Sequence, residues 1–66
     1  MKLIVNGELF ETSKSETILD LLNALGIEPG RVAVEVNLTI VKKADYATFR
    51  LHEGDGIEVV NFVGGG

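Results

Sequence analysis

The hydrophobic period of this chain changes twice, and those changes narrow the folds open to it. Near the start, Met1, Leu3 and Val5 alternate with residues of the opposite phase, among them Ile4, the two-residue period of a strand. From Ile18 the apolar residues fall at Ile18, Leu21, Leu22 and Leu25, the i, i+3, i+4, i+7 stripe of an amphipathic helix. From Arg31 to Val36 alternation returns, with Val32, Val34 and Val36 on one side and Ala33 and Glu35 on the other.

Local signals mark where each segment stops. Asn6-Gly7 between two apolar runs predicts a tight type I′ hairpin, because both turn positions need positive φ. Thr17, with Asp20 three residues on, is placed to cap the helix as a capping box. Gly26 is placed to close it, and Pro29 prevents continuation. Residues 37–43 are expected to form a polar turn holding the short apolar patch Ile40-Val41. Ala44 to Ala47 is expected to make one helical turn, and Phe49 to Leu51 a short strand. Glu53-Gly54-Asp55-Gly56 is expected to make a tight turn. Ile57 to Phe62 is the last strand, with Ile57 and Val59 inward and Val60 and Phe62 on the opposite face.

This order predicts one α+β domain over residues 1–62, a mixed sheet of four to five strands covered on one face by one helix. Residues 63–66 form a tail. A chain of 66 residues leaves no room for a second core. Ordering it costs about 1.5 kcal/mol per residue, and with no cysteine no disulfide can help. The core rests on packing, which the 45% apolar content makes feasible. Each buried leucine of the stripe contributes roughly 1.5–3 kcal/mol.

The inventory of reactive side chains is thin. Without cysteine the chain has no thiolate nucleophile and cannot carry sulfur on a side chain. His52 is the single histidine, which excludes a multi-histidine metal site and gives a catalytic triad poor support. The acidic segment at residues 53–56 lacks the later ligands of a calcium loop. A net charge of −4 and a pI near 4.7 argue against binding nucleic acid, which wants clustered Lys and Arg. They favour docking onto a basic protein. No run approaches the roughly 20 apolar residues of a membrane span, and the first apolar run is broken too early for a signal-peptide core. The expected location is the cytoplasm.

What remains is the tail. Val63 is followed by Gly64, Gly65 and Gly66, a thin lead that a narrow channel can admit where side chains would clash. From Phe62 to Gly66 an extended lead spans about 17 Å. Ile4, Val60, Phe62 and Val63 are the candidate partner-binding residues, the first three on the sheet face that the helix leaves open.

Val59-Val60-Asn61-Phe62-Val63-Gly64-Gly65-Gly66 after the Glu53-Gly54-Asp55 turn is similar to the end of the ThiS family, the sulfur carriers of thiamine biosynthesis. Asn6-Gly7, Thr17 before a Leu-rich helix, and Val34-Glu35-Val36-Asn37 with Ile40-Val41 extend the resemblance over essentially the whole chain. It implies a ubiquitin-like β-grasp fold. It also implies that the carboxylate of Gly66 is the reacting group. A ThiF-like adenylyltransferase, using ATP and Mg²⁺ that this chain does not itself bind, would form the acyl-adenylate. A sulfur donor protein would then convert it to a thiocarboxylate, and a ThiG-like thiazole synthase would receive the sulfur. Gly65 would complete the diglycine and Gly64 lengthen the lead. The chain would thus be a protein substrate and not an enzyme.

Other sulfur carriers of the same fold, including the small subunit of molybdopterin synthase, share the diglycine and differ in acceptor. A ubiquitin-like modifier would use the same terminal activation. A β-grasp binding module whose glycines are only a linker is the alternative of a different class.

Overall fold

The computed structural model describes residues 1–13 and 16–61. Strand β1 (Lys2–Val5) turns through Asn6-Gly7 into β2 (Glu8–Glu11), and the two pair antiparallel with Leu3 opposite Phe10. Asn6 and Gly7 have φ of 50° and 82°, the left-handed pair that a type I′ turn requires. Leu3 is buried and Ile4 faces out, as the alternation predicts.

Helix α1 (Ile18–Ala24) begins on the expected capping box. Asp20 N–H donates to Thr17 Oγ1 at 3.2 Å, while Asp20 Oδ2 accepts from the N–H groups of Glu16 and Thr17, both at 3.1 Å. Those backbone donors, Glu16 first, hold the Asp20 carboxyl below its ordinary value, because hydrogen bonds to the ionised form favour it. At the other end Gly26, at φ 72°, donates to Asn23 O at 3.1 Å, and Ile27 N–H donates to Leu22 O at 2.8 Å. This is a Schellman closure.

A 3-10 turn over Pro29–Arg31 leads into β3 (Val32–Val36), whose valines are buried while Ala33 and Glu35 are half-buried. The expected polar turn at residues 37–43 is corrected here. Asn37 and Leu38 make a second tight turn at φ 50° and 71°, and Thr39–Val41 forms strand β4, antiparallel to β3. The hairpin is hidden in the sequence because its second turn position is leucine where glycine is the usual signal. A 3-10 turn spans Lys43–Asp45, close to the expected helical turn. It buries Tyr46, whose hydroxyl donates to Val32 O at 3.1 Å; burial pushes the phenol pKa up.

The short strand expected at residues 49–51 is reduced to one bridge, Thr17 with Arg50. Ile18 N–H donates to Phe49 O at 3.2 Å and Leu51 N–H to Glu16 O at 2.9 Å. Its partner is the stretch entering α1, and the onset of the helix at Ile18 ends the ladder. Gly54 sits at φ 84° in the predicted turn. Strand β5 (Gly56–Asn61) then runs parallel to β1 and antiparallel to β3.

The five strands are ordered β2-β1-β5-β3-β4. On one face Leu3, Val32, Val34, Val36, Val41 and Ile57 join Ile18, Leu21 and Leu22 of the helix in a single core, with Tyr46 and Leu51 closing its margin. The other face has no covering element among the described residues. β5 lies at the centre of the sheet: β1 pairs with it at Gly56 and Ile57, and β3 pairs with it from Ile57 to Asn61.

Candidate functional site

Strand β5 is positioned by two asparagines, one from each hairpin turn. Asn6 Oδ1 accepts the N–H of Val59 at 2.8 Å, and Asn6 N–H donates to Ile57 O at 2.8 Å. Asn37 Oδ1 accepts from Gly56 N–H at 2.9 Å, and its amide donates to Asp55 Oδ1 at 3.0 Å. Asp55 Oδ2 in turn accepts from His52 N–H at 2.8 Å. Both turns therefore grip the strand that carries the end of the chain. His52 takes part through its backbone, and its imidazole lies exposed with Nδ1 3.9 Å from Asp55 Oδ2.

The open face is built by strand parity. Ile4 of β1 stands beside Leu9 of β2 and Gly56 of β5. Glu58 lies opposite Glu35, and Glu35 opposite Ile40; Val60 lies opposite Ala33. The exposures are high for apolar side chains: 40% for Ile4, 55% for Val60, 64% for Leu9, 73% for Ile40 and 88% for Leu38. Five large hydrophobic residues on one side of so small a domain exceed the scatter of single apolar residues ordinary on a surface.

Of the candidate residues, Ile4 and Val60 share this face but do not form one cluster. Ile4 is level with Gly56, and Val60 lies four residues further along β5, about 13 Å at strand spacing, with Glu58 between them. Phe62, Val63, Gly64, Gly65 and Gly66, and with them the expected domain boundary at residue 62, lie outside the described residues. Sequence reasoning missed Leu9, Leu38 and Ile40 as members of the face. The phase of Leu9 was legible from the first hairpin; Leu38 and Ile40 needed the second hairpin to be seen.

Beside Ile4 the face dips into a groove of about 270 Å³ lined by Gly7, Asn37, Leu38, Gly56 and Glu58, with Ile57 at its base. Among the described residues no group of three or more His, Cys, Asp or Glu is arranged to hold a metal ion. No helix among them is long and apolar enough to cross a membrane. The described body thus combines an exposed apolar face with a framework that fixes β5.

A mixed five-stranded sheet wrapped on one helix defines a ubiquitin-like β-grasp domain. The ThiS family profile matches residues 3–66, and the chain belongs to the ThiS family. It is 42% identical over 63 residues to the sulfur carrier protein ThiS of Bacillus subtilis, covering 94% of this chain and 96% of that one. The crystal structure of the thiamine biosynthesis protein ThiS from Geobacter metallireducens superimposes with a TM-score of 0.84 at 30% identity, covering 100% of both chains. The chain is also 48% identical over 66 residues to a thiazole synthase of Paramagnetospirillum magneticum, where it spans 20% of that protein's length. A thiazole synthase of Magnetococcus marinus matches over the same fraction at 44% identity.

Proposed function

We propose that this chain is the sulfur carrier of thiamine biosynthesis and that the carboxylate of Gly66 is its reacting group. The observation that carries the proposal is the family match, which runs through the terminal glycines to residue 66. It is supported by near full-length similarity to a sulfur carrier. The chemistry agrees. A terminal carboxylate, with an ordinary pKa of about 3.3–3.7, is ionised at neutral pH and is a poor electrophile. Adenylation by a ThiF-like enzyme transfers AMP from ATP to the carboxylate oxygen and releases pyrophosphate. The terminal sulfur of a persulfide on a sulfur donor protein then attacks the acyl carbon and AMP leaves. A second thiol attacks the donor-side sulfur of the resulting acyl disulfide and the S–S bond breaks. The donor sulfur ends in a disulfide with that thiol, and the carbon ends as a thiocarboxylate.

The partner has to offset the repulsion between carboxylate and phosphate, which calls for Mg²⁺ or basic groups. The carrier supplies a positioned tail and a docking surface formed by Ile4, Val60, Phe62 and Val63, so it is a substrate of its partners. A ThiG-like thiazole synthase is the acceptor. In two thiazole synthases a segment resembling this whole chain belongs to the same polypeptide, an arrangement that keeps carrier and acceptor at high effective concentration. The work takes place in the cytoplasm, where ATP is supplied.

Intact-mass measurement tests the proposal. After incubation with the adenylyltransferase, ATP and a sulfur donor, the chain should gain the mass of one oxygen exchanged for sulfur, and deletion of Gly65-Gly66 should abolish the change. An isopeptide adduct in its place would identify a modifier. An unchanged mass, with the adenylyltransferase shown active on another carrier, would rule the proposal out.

A further inference from the structure

The open face contains two features that weaken the domain and gain nothing within it. Leu38 occupies a left-handed conformation, φ 71°, that is unfavourable for a residue with a Cβ, and its side chain is almost wholly in solvent. Glu35 and Glu58 are directly opposite on β3 and β5, where like charges destabilise a sheet. Neither takes part in an ion pair among the described residues. The basic residue in register on this face, Lys2, stands opposite Glu11. Departures from local rules that the fold does not compensate mark surfaces kept for function.

They also share one place. Leu38 and Glu58 both line the groove, together with Ile4, Gly56 and Ile57, and Glu35 lies beside Glu58 on the neighbouring strand. The groove is therefore an apolar trough with a doubly acidic rim on a chain of net charge −4. Its complement is a protein surface carrying an apolar socket next to an Arg or Lys, with Arg favoured because its planar fork can serve two carboxylates. An enzyme that holds ATP and an incoming carboxylate has reason to carry such positive charge.

We infer that the groove at Leu38, Glu35 and Glu58 is a second anchor point for the adenylyltransferase, with Glu58 about 10 Å along β5 from Asn61, where a basic side chain of that enzyme lodges against the two carboxylates. The inference rests on the sulfur-carrier reading and names the part of the partner surface that recognises the body as distinct from the tail. Anchoring at both ends of β5 fixes the direction in which the tail is presented.

The experiment is calorimetric titration of the full chain and its variants into the ThiF-like adenylyltransferase at low and high salt, with thermal unfolding of each variant alone. Glu35→Gln/Glu58→Gln should weaken binding about tenfold or more and flatten its salt dependence, while raising the unfolding temperature of the free chain. Leu38→Gly should likewise bind more weakly and unfold at higher temperature. Opposite signs for binding and stability separate a docking role from a structural one. Affinity unchanged within twofold for both variants would overturn the inference, as would undetectable binding of the unaltered chain or loss only of thiazole synthase binding. If the mass change occurs on schedule while these affinities stay constant, the sulfur-carrier function stands and the anchor alone is lost.

Discussion

The side-chain oxygen of Asn6 accepts the backbone N–H of Val59 at 2.8 Å, joining residues 53 apart in sequence. Register between β1 and β5 ends at Val5 and Ile57, so Val59 has no backbone acceptor from β1. The carboxamide stands in for the next peptide of that strand and carries the ladder one step further toward the tail. The same residue provides the positive φ at which the first hairpin turns. One asparagine thus sets the turn and steadies the strand that presents the chain's end.

Substituting Asn6 separates these roles. Asn6→Gly keeps the left-handed turn and loses the acceptor, and should lower stability by about 1 kcal/mol. Asn6→Ala loses the acceptor and strains the turn, for a total of roughly 2–3 kcal/mol. Urea unfolding of the two variants measures the difference. Equal losses would show that the turn conformation contributes nothing.

The helix stripe supplies Ile18, Leu21 and Leu22, three of the fully buried side chains of the core. Leu22 is wholly buried and its carbonyl also receives the Schellman bond from Ile27. Leu22→Ala should lose about 2–5 kcal/mol, a large part of the stability of a domain this size. Leu22→Asp should leave no cooperative unfolding transition in circular dichroism at neutral pH.

The helix cap makes stability depend on acid. Asp20 is held below its ordinary carboxyl pKa, first by the Glu16 N–H and then by that of Thr17. A lowered folded-state pKa contributes stability that is present above the unfolded value near 3.8 and is lost as pH falls through the folded one. Asp20→Asn should therefore reduce the unfolding temperature at pH 7 and flatten its fall on the acid side below about pH 4. Thr17→Ala, which removes the reciprocal half of the box, should lower stability by about 1 kcal/mol. Differential scanning calorimetry between pH 2 and 7 checks both.

The strand and helix order, the first hairpin, the capping box and the faces of Val32, Val34, Val36 and Ile57 were legible because each is written in local residue types. The second hairpin was not. Its turn is Asn37-Leu38, and leucine at a positive φ carries none of the residue-type signal that glycine gives. The opposition of Glu35 and Glu58 was also invisible, since the phase of each strand can be read but the register between distant strands cannot. The same gap hides how far apart Ile4 and Val60 lie: parity puts them on one face, while their separation depends on where β1 meets β5.

The Asn37 bridge provides the sharpest electrostatic test. Its amide nitrogen donates to Asp55 Oδ1 while its oxygen accepts from Gly56 N–H. Asn37→Asp keeps an acceptor for Gly56 and a residue type that tolerates φ near 50°, but it sets a second carboxylate against Asp55. At neutral pH the variant loses the donated bond and gains repulsion, together roughly 1–2 kcal/mol. Ions screen that repulsion, so the deficit should shrink as salt is raised. Asn37→Gly, which removes the bridge without adding charge, should show a deficit that does not shrink. Unfolding free energies of the three proteins at low and high salt decide it: a deficit in Asn37→Asp that is constant with salt would mean that the added carboxylate and Asp55 do not interact.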